Sequence, residues 1–322
     1  MTVPIHRAAL LGILCMLGAV FFGTVLDVAI KFLSSGYALH QIILIRTLVA
    51  IAILVGIVLK QDGDFRQFRT RRVGAHFWRT VIVMLSNVCF FTGLAAMPFA
   101  DALAIAYVAP LLITGASAVF LGEKVGPHRW GAVLAGLIGV VVMLRPGAEA
   151  IRPAALLVLL SSICYGISQL MTRQMRETES TVTLNIYLHA GFLLISLAMG
   201  LVAGDGRFLG DPDSTIAFLL RPWVWPPVPD WPILVVTGIS VAVAGLFVSQ
   251  AYRLAEAALV APFEYLGMPL AIIAGVVVFG TWPDTIAWIG IALIGGAGLY
   301  VLWRETLHRS VKDPATPVGG DL

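Results

Sequence analysis

Charge is what this sequence lacks. Of its 322 residues only 12% are Asp, Glu, Lys or Arg, while 59% are hydrophobic; an ordinary soluble domain carries about 25% charged residues. So few polar groups cannot cover a water-exposed surface of this size. With a mean hydropathy of +0.93, the solvent the chain calls for is lipid. Cysteine is scarce too: Cys15, Cys89 and Cys164 each lie within an apolar stretch, which excludes a secreted disulfide framework and offers no metal cluster. A formal charge of +3 from 21 basic residues leaves no footprint for nucleic acid. No nucleotide signature appears, because "GGAGLYV" falls in the last apolar span, the wrong context for a phosphate loop. The sequence has no "HExxH", no metal-ligand cluster and no serine–base arrangement in suitable context, so an enzyme is not expected, nor a cofactor.

What is abundant is long apolar sequence. A window of about 19 residues divides the chain into ten candidate transmembrane helices near 8–30, 39–59, 76–96, 101–121, 129–145, 154–172, 183–204, 231–252, 257–280 and 284–303. The first begins behind His6 and Arg7 like a signal peptide, but its apolar run continues and many others follow, so it is read as a retained span. Between 205 and 230 lies a long connection whose Trp223, Trp225 and neighbouring Trp231 suit a membrane–water interface. Basic residues then set the direction. Alternate segments hold Arg7, Lys60, Arg66, Arg69, Arg71, Arg72, Lys124, Arg129, Arg173, Arg176, Arg253, Arg304, Arg309 and Lys312; the other set holds only Lys31, Arg145, Arg152, Arg207 and Arg221. Both termini are therefore expected in the cytoplasm.

The chain also repeats itself. Tyr107, Gly122 and Trp130 recur at one constant offset as Tyr265, Gly280 and Trp288. The expectation is an all-α membrane protein of two inverted five-helix repeats, 8–146 and 153–303, followed by a cytoplasmic tail, 304–322. Inverted halves suit a carrier whose central site opens alternately to each side. Within the first half, "DALAIAYVAPLLITGASAVFLGEKVG" reads as one helix from 101 to 121, with Asp101 capping it and Pro110 bending it. Glu123 and Lys124 read as a cytoplasmic turn, and Pro127 as the start of the next helix.

The stretch "GLAAMPFADALAIAYVAPLLITGASAVFLGEKVGPHRWGAVLAGLIGVVVMLRPG", with a weaker second copy at "AYRLAEAALVAPFEYLGMPLAIIAGVVVFG", resembles the drug/metabolite transporter superfamily, in particular its ten-span group with two EamA domains. "HQIILIRTLVA" with Arg46 matches that family's second helix. "FWRTVIVMLSNVCFFTGL", with Arg79 and Asn87, resembles the branch that includes human solute carrier family 35, subfamily G. The likeness covers nearly all of residues 8–303. It implies a secondary transporter working by alternating access on amino acids, amines, organic anions, nucleotides or drugs. The second copy departs at "VFGTWPD", where Thr281 stands near the glutamate position of "FLGEKVG".

Charges at membrane depth cost roughly 2.5–3.5 kcal/mol on insertion scales, so they face protein or a water-filled cavity. Arg46 fits either attraction of a substrate or a fixed partner for Asp27; Arg79 lies nearer the cytoplasmic end and can snorkel. Glu264 in "PFEYLG" is the candidate for proton coupling, with a buried basic partner as the rival account; Glu256 flanks the cytoplasmic entrance. Tyr107 and Tyr265, at repeat-related positions, can each present a ring to an apolar ligand and a hydroxyl to a polar one. Asn87, Tyr165, Gln169, His189 and Gln250 add donors and acceptors, and His189 titrates near neutral pH in principle. The two arginines tilt the expected substrate toward anions or zwitterions. The expected activity is gradient-driven movement, as an exporter, of a small polar or amphipathic metabolite such as an amino acid or organic anion across a bacterial inner membrane. Membrane lipids and protons are the expected partners besides the metabolite. An amine or drug exporter, a channel, a lipid flippase and a membrane-embedded enzyme are the alternatives.

Overall fold

A computed structural model describes residues 5–61, 70–120, 126–145, 153–175, 178–211, 214, 216–254 and 261–312. Where lipid replaces water, every backbone N–H and C=O must find a partner inside the protein, and a helix provides one for each within its own segment. Accordingly α1 (Ile5–Leu33), α2 (Leu39–Gln61) and α3 (Val73–Ala96) precede two short helices, α4 (Phe99–Ala106) and α5 (Ala109–Phe120). Then come α6 (Pro127–Leu144), α7 (Pro153–Met175), α8 (Thr181–Ala203), one turn of α9 (Ala217–Leu220) and α10 (Trp231–Leu254). A 3-10 run, Ala261–Leu266, leads into α11 (Gly267–Phe279), and α12 (Thr285–Lys312) ends the described chain. Seven of these helices are long and apolar enough to cross a membrane; shorter apolar helices cover Phe99–Ile113, Phe263–Phe279 and Thr285–Val301.

The span expected at 101–121 is not one helix. α4 stops at Ala106, and α5 begins at Ala109 after a turn at Tyr107 and Val108. Pro110 is the cause: it has no N–H to give to the Ala106 carbonyl, and its ring crowds that carbonyl. Asp101 is not the cap either. Pro98 holds the N-cap position, and Asp101 sits buried in the first turn, where a carboxylate meets the positive end of the helix. Pro127 does open α6 as expected. Glu123, Lys124 and Glu256 lie outside the described residues.

Helices distant in sequence pair along their lengths: α1 with α10, α3 with α7, α6 with α12, and α2 with both α8 and α10. Small residues make the closest of these approaches. At Gly93 an added Cβ would stand 2.6 Å from the Ala154 carbonyl oxygen, so α3 and α7 touch backbone to side of helix in a way that only glycine permits. At the ends of α6 and α12, Arg145 Nη2 lies 2.5 Å from the Asp284 carboxylate. That carboxylate also accepts the Ala287 N–H at 2.9 Å. The backbone N–H first and Arg145 second hold the Asp284 carboxyl below its ordinary range.

The described part of the long connection forms a strap. Gln41 clamps Val224, donating Nε2 to its carbonyl at 2.6 Å and accepting its N–H at 3.3 Å. Arg221 Nη1 donates to the Ser34 carbonyl at 2.5 Å, Tyr37 donates its hydroxyl to Asp230, and Trp223 stacks on His40 with ring centroids 5.7 Å apart. The α8–α10 connection is thereby fastened to the turn between α1 and α2.

Candidate functional site

Two irregular points among the described residues carry a tyrosine. Tyr107 occupies the break between α4 and α5, and Tyr265 the 3-10 run before α11. Their rings meet with centroids 6.0 Å apart, so positions matched by the repeat are neighbours in space. The two hydroxyl ends rest in glycine notches. A Cβ on Gly267 would fall 1.7 Å from the Tyr107 hydroxyl oxygen, and one on Gly298 would fall 2.1 Å from Tyr265 Cζ.

Beside the tyrosines lies a cavity of about 340 Å³, bounded by α1, α3, the α4–α5 break, α7 and the 3-10 run. Its size falls within the range of about 300–1,000 Å³ usual for small-molecule sites. Phe90, Phe91, Tyr107 and Tyr165 supply flat aromatic walls, while Ser86, Asn87, Ser161 and Ser162 supply the polar side. Two carboxylates reach the lining, Asp27 from α1 and Glu264 from the 3-10 run. Glu264 is close enough to act electrostatically on Tyr107, Tyr165 and Tyr265.

The polar groups are already partly committed. Ser86 donates to the Ser161 carbonyl at 3.0 Å and Ser162 to the Val158 carbonyl at 3.0 Å. Asn87 gives one N–H to the Val83 carbonyl at 3.1 Å, and its Oδ1 accepts Arg46 Nη2 at 2.7 Å. Arg46 is 2% exposed and is flanked by the rings of Phe91 and Phe192, 5.3 and 5.9 Å from its guanidinium. It stands behind Asn87 and is not part of the lining. Asp27 feels its charge through space, and no hydrogen bond from the described residues reaches the Asp27 carboxylate.

Of the other residues singled out, Gln169 acts on the Tyr165 hydroxyl and is not part of the cavity lining. Arg79 is held elsewhere, with Nε donating to Thr172 Oγ1 at 2.8 Å and Nη1 to the Leu184 carbonyl at 3.0 Å. His189 pairs with the Asn185 carbonyl at 2.9 Å and borders a separate void of about 10 Å³. Gln250 is exposed on α10 and does not line the cavity. Among the described residues no group of His, Cys, Asp or Glu is arranged to hold a metal.

The sequence matches the EamA-like transporter family twice, over residues 10–145 and 152–303. The chain belongs to the EamA-like transporter family. It is 34% identical over 244 residues to a protein named riboflavin transporter from Rhizobium johnstonii, covering 76% of this chain and 74% of the relative. A riboflavin transporter of Vibrio cholerae is 30% identical, covering 94% of this chain and 96% of its own. An S-adenosylmethionine uptake transporter of Rickettsia prowazekii is 22% identical over 94% of this chain and 95% of the relative. A crystal structure shares the fold of this EamA-family chain at a TM-score of 0.62 and 19% identity, covering 94% of this chain and 98% of that one. The chain is thus a multi-pass membrane transporter of small metabolites, and not an enzyme.

Proposed function

We propose that this transporter takes up a planar heteroaromatic metabolite bearing hydroxyl groups, of the riboflavin kind, by gradient-driven alternating access. The observation that carries this is the cavity itself, where aromatic side chains from three elements line one space with hydroxyls and carboxylates at a broken helix. A flat ring system stacks against such walls, and a hydroxylated side chain reaches the polar groups. The names of the riboflavin relatives support the same class, and the S-adenosylmethionine relative supports uptake over the export expected from sequence. The expected tilt toward anions loses its basis, because Arg46 and Arg79 are tied to protein partners.

The ten-span reading belongs to this proposal: two five-helix halves, 8–146 and 153–303, inverted in the membrane, with both termini and the tail in the cytoplasm of a bacterial cell. Supporting it are the asymmetry of basic residues and the occurrence of a helix interruption at the matched positions Tyr107 and Tyr265, since carriers built from inverted repeats place their sites at interrupted helices. The narrower likeness to the solute carrier family 35 G branch rests on the "FWRTVIVMLSNVCFFTGL" segment alone.

Within this scheme Glu264 is the proton-coupling carboxylate, placed in the interruption and on the cavity. The experiment is transport by the purified chain in liposomes. Saturable counterflow of labelled riboflavin is expected of a carrier, and unsaturable flux would establish a channel instead. Glu264→Gln should keep exchange at equal concentrations while losing uphill, pH-driven uptake. A variant that still concentrates solute against its gradient to the wild-type extent would remove Glu264 from the coupling step.

A further inference from the structure

The side-chain amide of Asn87, which lines the cavity from α3, is held one way round by two bonds. An amide has an oxygen at one end and two N–H groups at the other, and its partners decide which end points where. Oδ1 accepts Arg46 Nη2 at 2.7 Å. Turned over, the amide would set N–H groups against a guanidinium that has only N–H groups to offer, so Arg46 keeps the oxygen on its own side. One Nδ2 proton goes to the Val83 carbonyl, a turn back on α3, at 3.1 Å. Among the described residues no second acceptor takes the other. Arg46 is braced in turn: 2% exposed, it is flanked by the rings of Phe91 on α3 and Phe192 on α8. Ser86 and Ser162, in the same lining, give their protons to the Ser161 and Val158 carbonyls. They meet a guest as acceptors, and the amide is the donor that complements them.

We infer that Asn87 reads a carbonyl oxygen on the solute's ring with its second Nδ2 proton, and that Arg46 is the positioning residue that keeps the amide turned for it. This rests on the riboflavin-type uptake proposed above and names the chemical group the site recognises, a C=O at the edge of a flat ring. A flavin ring carries two such oxygens, on C2 and C4. With its faces against the aromatic side chains, the ring brings an edge carbonyl to the amide. At membrane depth an acceptor left without a donor costs more than the same loss in water. Arg46 thereby serves the solute without touching it. Its charge sets the orientation of a neutral donor, which suits an uncharged ring, where a direct ion pair would select an anion.

The test uses the full chain in liposomes and riboflavin beside its 2-thio and 4-thio analogues, in which sulfur, a weak acceptor, replaces one carbonyl oxygen. One of the two should compete with labelled riboflavin about fivefold less well or worse, the scale of one hydrogen bond. A smaller penalty for both overturns the carbonyl contact. Asn87→Asp keeps the shape and the Arg46 contact but, ionised, has no proton to give. It should weaken the apparent affinity for riboflavin about tenfold or more and bring the penalty for sulfur below about twofold. A penalty caused by the size of sulfur would persist in that variant and overturn the contact. Arg46→Met removes the charge, lets the amide turn and should lower the sulfur penalty with Asn87 intact; Arg46→Lys, which returns a charge and a donor, should restore part of it. Folded Arg46→Met protein with the full penalty, or Arg46→Lys protein with no recovery, removes the positioning role. Where a variant does not fold, the wild-type penalty decides alone. Riboflavin transported without discrimination against either analogue refutes the carbonyl contact and leaves flavin uptake standing; riboflavin that is not transported at all refutes both.

Discussion

Gly267→Ala should disable the carrier by pushing one oxygen atom out of its notch. The new Cβ would lie 1.7 Å from the Tyr107 hydroxyl oxygen, 2.8 Å from Tyr107 Cζ and 3.3 Å from Val20 Cγ1. A carbon and an oxygen in ordinary contact stand about 3.3–3.6 Å apart, so the hydroxyl must retreat by roughly 1.6 Å or more. Tyr107 is pinned by its ring contact with Tyr265 and by its place at the helix break, so its free direction is toward the cavity it lines. Overpacking of this kind costs about 1–3 kcal/mol, and the displaced ring shrinks the space for the solute. Tyr107→Phe removes the offending oxygen; the nearest ring atom is then the one now at 2.8 Å, which needs a shift of about 0.7 Å or more to reach normal separation. The cost of Gly267→Ala should therefore fall by about 1 kcal/mol in the Tyr107→Phe background, a coupling typical of touching residues. Apparent melting temperatures of the four purified proteins in detergent, measured beside riboflavin counterflow, close the cycle. Equal losses from Gly267→Ala in both backgrounds would refute the notch.

At Gly93 the obstacle is backbone. Gly93→Ala would face the Ala154 carbonyl oxygen and Val158 Cγ2, both at 2.6 Å, so α3 and α7 must part; a loss of about 2 kcal/mol or more is expected in the same melting assay. The strap should loosen in alkali. Burial first, and the bond to Asp230 second, push the Tyr37 hydroxyl up to about 12, so its contribution is whole below the usual tyrosine range near 10 and is lost as pH rises through about 12. Cysteine labelling at Asp205 should follow that rise in the wild-type strap and lose the dependence in Tyr37→Phe. In a cysteine-free background, a cysteine at Arg71 should be labelled from the cytoplasm only and one at Asp205 from outside only; the opposite pattern would invert the topology.

Helix existence was legible because an apolar run of about twenty residues has few other uses; where a helix stops was less so. Pro110 announced a bend, but whether a proline bends or ends a helix depends on what surrounds the released carbonyl, and Tyr107 sits at the break. Asp101 looked like a cap because caps are polar, yet Pro98 took that place and left the carboxylate inside the first turn. The tyrosine pair was visible through the repeat, since equivalent positions in two copies stand out without any knowledge of packing. Asp27 entered only as a partner for Arg46, although it lines the cavity. Ser86, Ser161 and Ser162, and the rings of Phe90 and Phe91, were not singled out at all, because an isolated serine or phenylalanine within an apolar helix carries no mark of which way it faces. A usable signal was present in "LSN" and "SSICY", where polar residues cluster near mid-helix at positions three or four apart from aromatic ones. The arginines misled in the opposite sense: charge at depth was correctly noticed, but its commitment to Asn87, Thr172 and Leu184 is a property of three dimensions.

The two tyrosines match in sequence but do not rest alike. Tyr107 reaches across to Gly267, while Tyr265 settles against Gly298 in its own half. The position that matches Gly267 at the offset of the repeat is Ala109, so the glycine notch has no glycine counterpart in the first copy. The two copies therefore differ at this point by one methyl group. On the proposed inverted-repeat reading, the conformation with Tyr107 seated and its mirror image should differ in energy, which would give the empty carrier a preferred orientation. Such a preference changes the apparent affinity on each side while the gradient alone sets the direction of net movement, and Ala109→Gly would move the carrier toward equal affinity on both sides.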